Sequence, residues 1–230
     1  MLEHATTTLS LIFAEPALLP IIRLSLQVTV SAVLLAAILG IPLGALIALT
    51  RFPGKAGVIV LLNALMGLPP VVLGLALYLA LSRAGPLGFA GLLFSPPAMI
   101  MAQTLLVLPI LAALTRQTVE DYWQEYRDEL AAMDIRPLRR AATLVWEARF
   151  SLLTALLAGF GRAAGEVGAI IIVGGNIDGY TRTMTTAIAL ETSKGNLPLA
   201  LGLGLVLLAI VVLVNIVVAH VRRLALRLAA

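Results

Sequence analysis

The 230-residue sequence contains no cysteine. That removes disulfides, thiolate metal sites and cysteine nucleophiles, and says nothing about compartment. Charge is scarce as well. Only 12% of residues are Asp, Glu, Lys or Arg, about half the share of a soluble domain. Histidine is nearly missing, and the two present, His4 and His220, stand alone near opposite ends, so no pair has metal-ligand spacing. No phosphate-binding G-x-x-x-x-G-K-[ST] run occurs, because Gly54-Lys55 is followed by Ala56. No serine sits in a G-x-S-x-G elbow. Catalysis by this chain is not expected, and any ATP would be bound elsewhere.

What the sequence has instead is apolar length. Hydrophobic residues make up 60% and mean hydropathy is +1.04, which places the chain among integral membrane proteins with room for about five helices of roughly 20 residues. The spans expected are Ile21 to Leu49, Val58 to Leu81 broken at Pro69-Pro70, Pro97 to Leu114 with Pro109 inside, Ser151 to Val173, and Leu197 to Val218. Leu9 to Ala14 is too short to cross and would lie along the interface. The start, Met1-Leu2-Glu3-His4, lacks the basic opening of a cleaved signal peptide.

The fold class expected is all-α, integral to the membrane, one transmembrane domain over 1–230. A charged insert over 116–150 separates the third and fourth spans. Placing it inside the cell puts Arg51, Lys55, Arg116, Arg127, Arg136, Arg139, Arg140, Arg149, Arg222, Arg223 and Arg227 inside. Only Arg23, Arg83, Arg182 and Lys194 then stand outside. That asymmetry predicts an outer N-terminus and an inner C-terminus. The net charge of +4 is thereby read as orientation, with no nucleic-acid partner. Membrane lipid is the surrounding partner, and a second copy is expected because five helices do not readily enclose a polar pathway.

The insert is the first functional candidate. Glu120 to Arg140 holds helix formers and no glycine, and Pro137 predicts a turn between two short helices. Apolar Leu130, Met133 and Ile135 flanked by charge suit a helix-in-groove contact with a soluble partner. Tyr122, Trp123 and Tyr126 would form either an interfacial aromatic anchor or part of that contact. The second candidate is Arg162 with Glu166, four residues apart near mid-span. They are read mainly as a neutralised packing pair, with pathway lining as the alternative. Gly40/Gly44 and Gly161/Gly165 have the spacing of close helix approach. The Pro69-Pro70 break frees backbone carbonyls at membrane depth, which places Leu68 to Gly74 beside a pathway. The turn-rich loop from Gly174, Gly175 and Asn176 to Arg182 is a candidate face for cargo delivery.

Gly165-Glu166-Val167-Gly168-Ala169, continuing through Val173-Gly174-Gly175-Asn176-Ile177, Gly179-Tyr180-Thr181-Arg182 and Thr185 to Thr192, resembles the permease subunits of bacterial ATP-binding cassette importers. It looks closest to their tungstate branch, with molybdate and sulfate permeases as neighbours. Gly40-Ile41-Pro42-Leu43-Gly44 and Gly67 to Gly74 are weaker matches. The family's cytoplasmic signature keeps its spacing but not its letters: Glu129-Leu130-Ala131 stands for the first element, Ile135 for its glycine, and Val145 to Ala148 for the last.

The resemblance implies a type I importer permease fold in the bacterial plasma (inner) membrane, working as a dimer. It implies cytoplasmic ATPase subunits that hold ATP and Mg, and a periplasmic or extracellular oxyanion-binding protein. It implies ATPase coupling through Glu129, Leu130, Ala131, Met133, Asp134, Ile135, Arg136 and Arg139. Pro69, Pro70, Arg162, Glu166, Gly174, Gly175 and Asn176 are the pathway or gate candidates. Other readings are a molybdate or sulfate-like importer, a non-transporting membrane scaffold, and a stand-alone secondary transporter, which would be longer and carry repeats.

Overall fold

The structure, a computed structural model, describes residues 18–133 and 136–229. The segment Leu9 to Ala14, His4, and the coupling candidates Asp134 and Ile135 lie outside the described residues. Among those described the chain is helical without strands. The helices are α1 (Leu18–Leu49), α2 (Lys55–Met66), α3 (Pro70–Leu81), α4 (Pro96–Ala132), α5 (Pro137–Glu147), α6 (Arg149–Ala164), α7 (Gly168–Gly174), α8 (Met184–Ser193) and α9 (Leu197–Ala229). Three of them, α1, α4 and α9, are long and apolar enough to cross a membrane. The count rises to five if α2 with α3, and α5 with α6, are each one bent span. On α9, Leu201, Leu205, Leu208, Val212 and Leu213 stand exposed, as lipid contact requires.

The chain divides into two compact units. One holds the segments Pro69–Gln103 and Gly161 onward, together with the start of α1; the other holds Ala32–Leu68 and Thr104–Phe160. In the second unit α1 lies close on α4. A Cβ on Gly40 would come within 3.2 Å of Leu111 Cβ, and one on Gly44 would run into the Ala112 carbonyl oxygen and stand 2.8 Å from Thr115 Cβ. The Gly40/Gly44 spacing therefore does the work expected of it. Lys55 Nζ at the start of α2 donates to the Ala48 carbonyl at 2.9 Å and lies 3.8 Å from Glu120, tying three elements at one end of this unit.

Two expectations about the spans need correction. The third span does not end near Leu114 to give way to short insert helices. It runs on unbroken to Ala132, because nothing after Pro109 interrupts a sequence of good helix formers. Pro137 does open a new helix, at its first position, where a missing N–H costs nothing. The fourth span is not one helix from Ser151 to Val173. It breaks at Gly165, Glu166 and Val167 into α6 and α7. A further helix, α8, was not anticipated. Thr183 caps it, its hydroxyl and that of Thr186 forming a reciprocal box with the backbone.

Gly44→Ala should lower stability by about 1–3 kcal/mol through overpacking against α4, read as an earlier thermal unfolding midpoint of the detergent-solubilised protein. Gly161→Ala, whose Cβ would meet nothing within 4 Å, should leave that midpoint in place. Equal losses at both sites would count against the packing described.

Candidate functional site

A helix broken inside an apolar region leaves carbonyls and N–H groups that water cannot reach, and each must find a partner. On the buried side of the α6–α7 break, side chains supply several of these partners. The Ala163 carbonyl accepts from Gln103 Nε2 at 2.8 Å and from the Glu166 N–H at 3.1 Å. The Glu166 carbonyl accepts from the Thr185 hydroxyl at 2.9 Å. The Ala169 N–H at the start of α7 donates to Glu166 Oε1 at 3.0 Å. Thr185 is itself part of a buried hydroxyl cluster with Thr183 and Thr186. The Met184 N–H donates to Ser25 Oγ at 2.7 Å, which carries this network to α1.

This arrangement corrects the expected Arg162–Glu166 pair. Because the helix ends between them, the two do not share a helical face, and no ion pair joins them among the described residues. Glu166, 4% exposed, caps α7 instead. The Gly161/Gly165 spacing likewise brings no neighbour close: a Cβ on Gly165 would meet only the Gly161 carbonyl, at 3.6 Å.

The two family-like stretches around Pro69-Pro70 and Gly165 pack on each other. Pro69 caps α3 and Pro70 is its first residue. A Cβ on Gly74 would sit 2.8 Å from Ala169 Cα, and one on Gly168 would sit 2.8 Å from Val71 Cγ2. Only glycine allows α3 and α7 this approach. At the other end of α7, Gly174 abuts the Met99 side chain, and Gly175 and Asn176 turn the chain with φ of 72° and 49°. The Phe94 N–H reaches the Val173 carbonyl at 2.8 Å. Thr181, fully buried, accepts from the Ile177 N–H at 2.9 Å and donates to the Gly174 carbonyl at 2.6 Å, holding the loop shut. Pro69, Pro70, Glu166, Gly174, Gly175 and Asn176 are thus gathered around α3 and α7. Arg162 stands half-buried in the last turn of α6.

The insert forms a second surface. Leu144 of α5 is buried with Leu130, Val119, Ala45 and Ala48, and Tyr122, Trp123, Tyr126 and Val145 pack against them. The aromatic trio therefore works inside the insert. Tyr122 and Tyr126 stack with centroids 6.0 Å apart, and the Arg140 guanidinium lies 5.1 Å over the Trp123 ring. Leu130, expected on the docking face, is 7% exposed; its side chain belongs to this core and has no face to offer a partner. Glu129, Met133, Arg136 and Arg139 are exposed, and Ala131 lies in the last turn of α4.

Sequence reasoning missed the stripe of Leu138, 83% exposed, Ala142 and Trp146, 66% exposed, which face outward on α5 at four-residue spacing. The helical period from Leu144 was the available signal. It also missed Gln103, which with Thr104 interrupts an apolar run, and the threonines of α8.

On α8, the hydrogen bond from Lys194 Nζ, 2.8 Å from Oε1, holds the Glu191 carboxyl below the usual carboxylate range. Asn196 Nδ2 adds a bond at 3.1 Å.

Long apolar helices, broken where polar side chains satisfy the backbone, together with a charged insert, fit a multi-pass membrane protein. The chain is 44% identical over 185 residues to the probable anion ABC transporter permease protein of Haloferax volcanii, covering 78% of this chain and 80% of that protein. It is 39% identical over 191 residues to the tungstate uptake system permease protein of Peptoclostridium acidaminophilum, covering 83% and 84%. Identity to the molybdenum transport system permease protein of Azotobacter vinelandii is 30% over 188 residues, covering 73% and 77%. No family model matches. The chain belongs to the ABC transporter permeases.

Glu166→Ala leaves the buried Ala169 N–H without an acceptor and should cost about 1–3 kcal/mol. Glu166→Gln keeps an acceptor oxygen and should cost less. Thermal unfolding of the purified protein orders the two, and the reverse order would contradict the cap. The depressed Glu191 carboxyl stabilises its turn above the ordinary carboxylate range, and that contribution fades as pH falls through its lowered folded value. Hydrogen-exchange protection at Gly195 and Asn196, taken relative to the intrinsic rate at each pH, should therefore fall on acidification in the unsubstituted protein and stay flat in Glu191→Gln.

Proposed function

We propose that the chain is the membrane subunit of an ATP-driven importer for an oxyanion, with tungstate as the cargo. The observation that carries the cargo is the identity to a tungstate uptake permease, 39% over 83% of the chain, against 30% to a molybdenum permease. Molybdate, of the same charge and tetrahedral shape, is the second reading.

In this reading two copies pair around the pathway, with five spans each, outer N-termini and inner C-termini. ATP and Mg are bound by cytoplasmic ATPase subunits. These subunits grip the insert over its uncovered face: Glu129, Met133, Arg136, Leu138, Arg139 and Ala142. Asp134 and Ile135, between the two helices, belong to the same contact. An apolar stripe edged by charge suits a groove-bound helix. The inner face of α5 is packed on Leu130 and Val119, so a pull on it is passed to that end of α4. α4 also carries Gln103, bonded to Ala163 beside the break at Glu166. Closure of the ATPase dimer on ATP thus biases the pathway toward one of two states, and hydrolysis resets it. An external binding protein delivers cargo to the loop Gly174 to Arg182 and supplies most of the selectivity.

Leu138→Glu, at an exposed position, should leave thermal stability unchanged while reducing co-purification of the ATPase about tenfold or more, the scale of a lost anchor residue. Leu130→Ala should do the opposite, lowering stability first. Full ATPase binding and coupling in Leu138→Glu would overturn the docking face.

A further inference from the structure

Arg162 is a charge that nothing in the described part of the chain neutralises. The Glu166 carboxylate, four residues on, is turned to the Ala169 N–H, and no other acidic group pairs with Arg162. From Arg149 to Arg162 the helix rises roughly 20 Å at about 1.5 Å per residue. That carries Arg162 well into an apolar layer about 30 Å thick. A cation at such depth faces a partner, a cavity or water.

The ground around it is open. Gly161 and Gly165 are exposed and no other segment touches the positions their Cβ atoms would take. The same uncovered stripe of α6 carries Ser151, Thr154 and Ala158. Most exposed positions in the middle of α1 and α9 carry leucine, isoleucine or valine, as acyl chains require; the exposed positions of this stripe carry none. Small and polar side chains at membrane depth suit an aqueous path.

We propose that Arg162 is a contact for the permeating oxyanion, its guanidinium serving as the counter-charge as the anion passes. This rests on the oxyanion importer reading above. The planar fork of N–H donors matches two oxygens of a tetrahedral oxyanion. Two copies of the chain would bring two such cations to one doubly charged anion. A single guanidinium from each copy holds the anion loosely enough to release it.

This chain has no cysteine of its own, so a thiol at position 162 can be addressed in the complete transporter, reconstituted with its ATPase and binding protein. The unsubstituted transporter treated with the same reagents is the reference. Arg162→Cys should lower tungstate and molybdate uptake about tenfold or more, with ATPase association intact. Aminoethyl methanethiosulfonate, which restores a positive charge at that thiol, should recover uptake several-fold, and sulfonatoethyl methanethiosulfonate should not. Arg162→Lys, which keeps the charge and loses the fork, should fall between the unsubstituted protein and Arg162→Cys. Unchanged uptake in Arg162→Cys, equal recovery with both reagents, or loss of assembly in place of loss of uptake would overturn the proposal. If the unsubstituted transporter moves neither oxyanion, the importer reading falls as well.

Discussion

Backbone N–H and C=O groups cannot be left unpaired where water is excluded, and the break between α6 and α7, buried at Ala163, Glu166 and Ala169 and open at Gly165, obeys that constraint with side chains on its buried side. Gln103, Thr185 and the Glu166 carboxylate each take one group freed at Gly165 to Val167. Those bonds draw α4, α6, α7 and α8 into one polar node, with Ser25 linking α1. A continuous helix would have needed none of them. The break is therefore a built feature, and it sits where the two family-like stretches, around Pro69-Pro70 and Gly165, press together through Gly74 and Gly168.

The insert solves a different problem. Its helix α5 is amphipathic twice over. One stripe, through Leu144, is sealed against α1 and α4; the other, through Leu138 and Trp146, is bare. The first makes α5 a rigid continuation of the membrane helices. The second leaves an apolar surface open. The packing at Leu144 ties α5 to α4 through side chains.

Most of the span positions were legible because hydropathy depends on composition alone, and Pro69-Pro70 and Pro137 announced their breaks through a missing N–H. The break at Gly165 was not legible. Ala163-Ala164-Gly165-Glu166-Val167 contains no proline, and only tertiary bonds from Gln103 and Thr185 make leaving the helix favourable. That hidden break also made Arg162 and Glu166 look like a pair. The faces of the insert were half legible. Charge located it, but deciding that Leu130 points inward and Leu138 outward required knowing that α4 runs unbroken to Ala132, which sets the phase of everything after it.

The central claim is that this permease moves an oxyanion only when an ATPase drives it. Proteoliposomes holding the permease, its ATPase and the cognate binding protein should accumulate tungstate when ATP is supplied to the ATPase side, and stop when the ATPase is left out. Accumulation by the permease alone, or none with all three components and ATP, would contradict it.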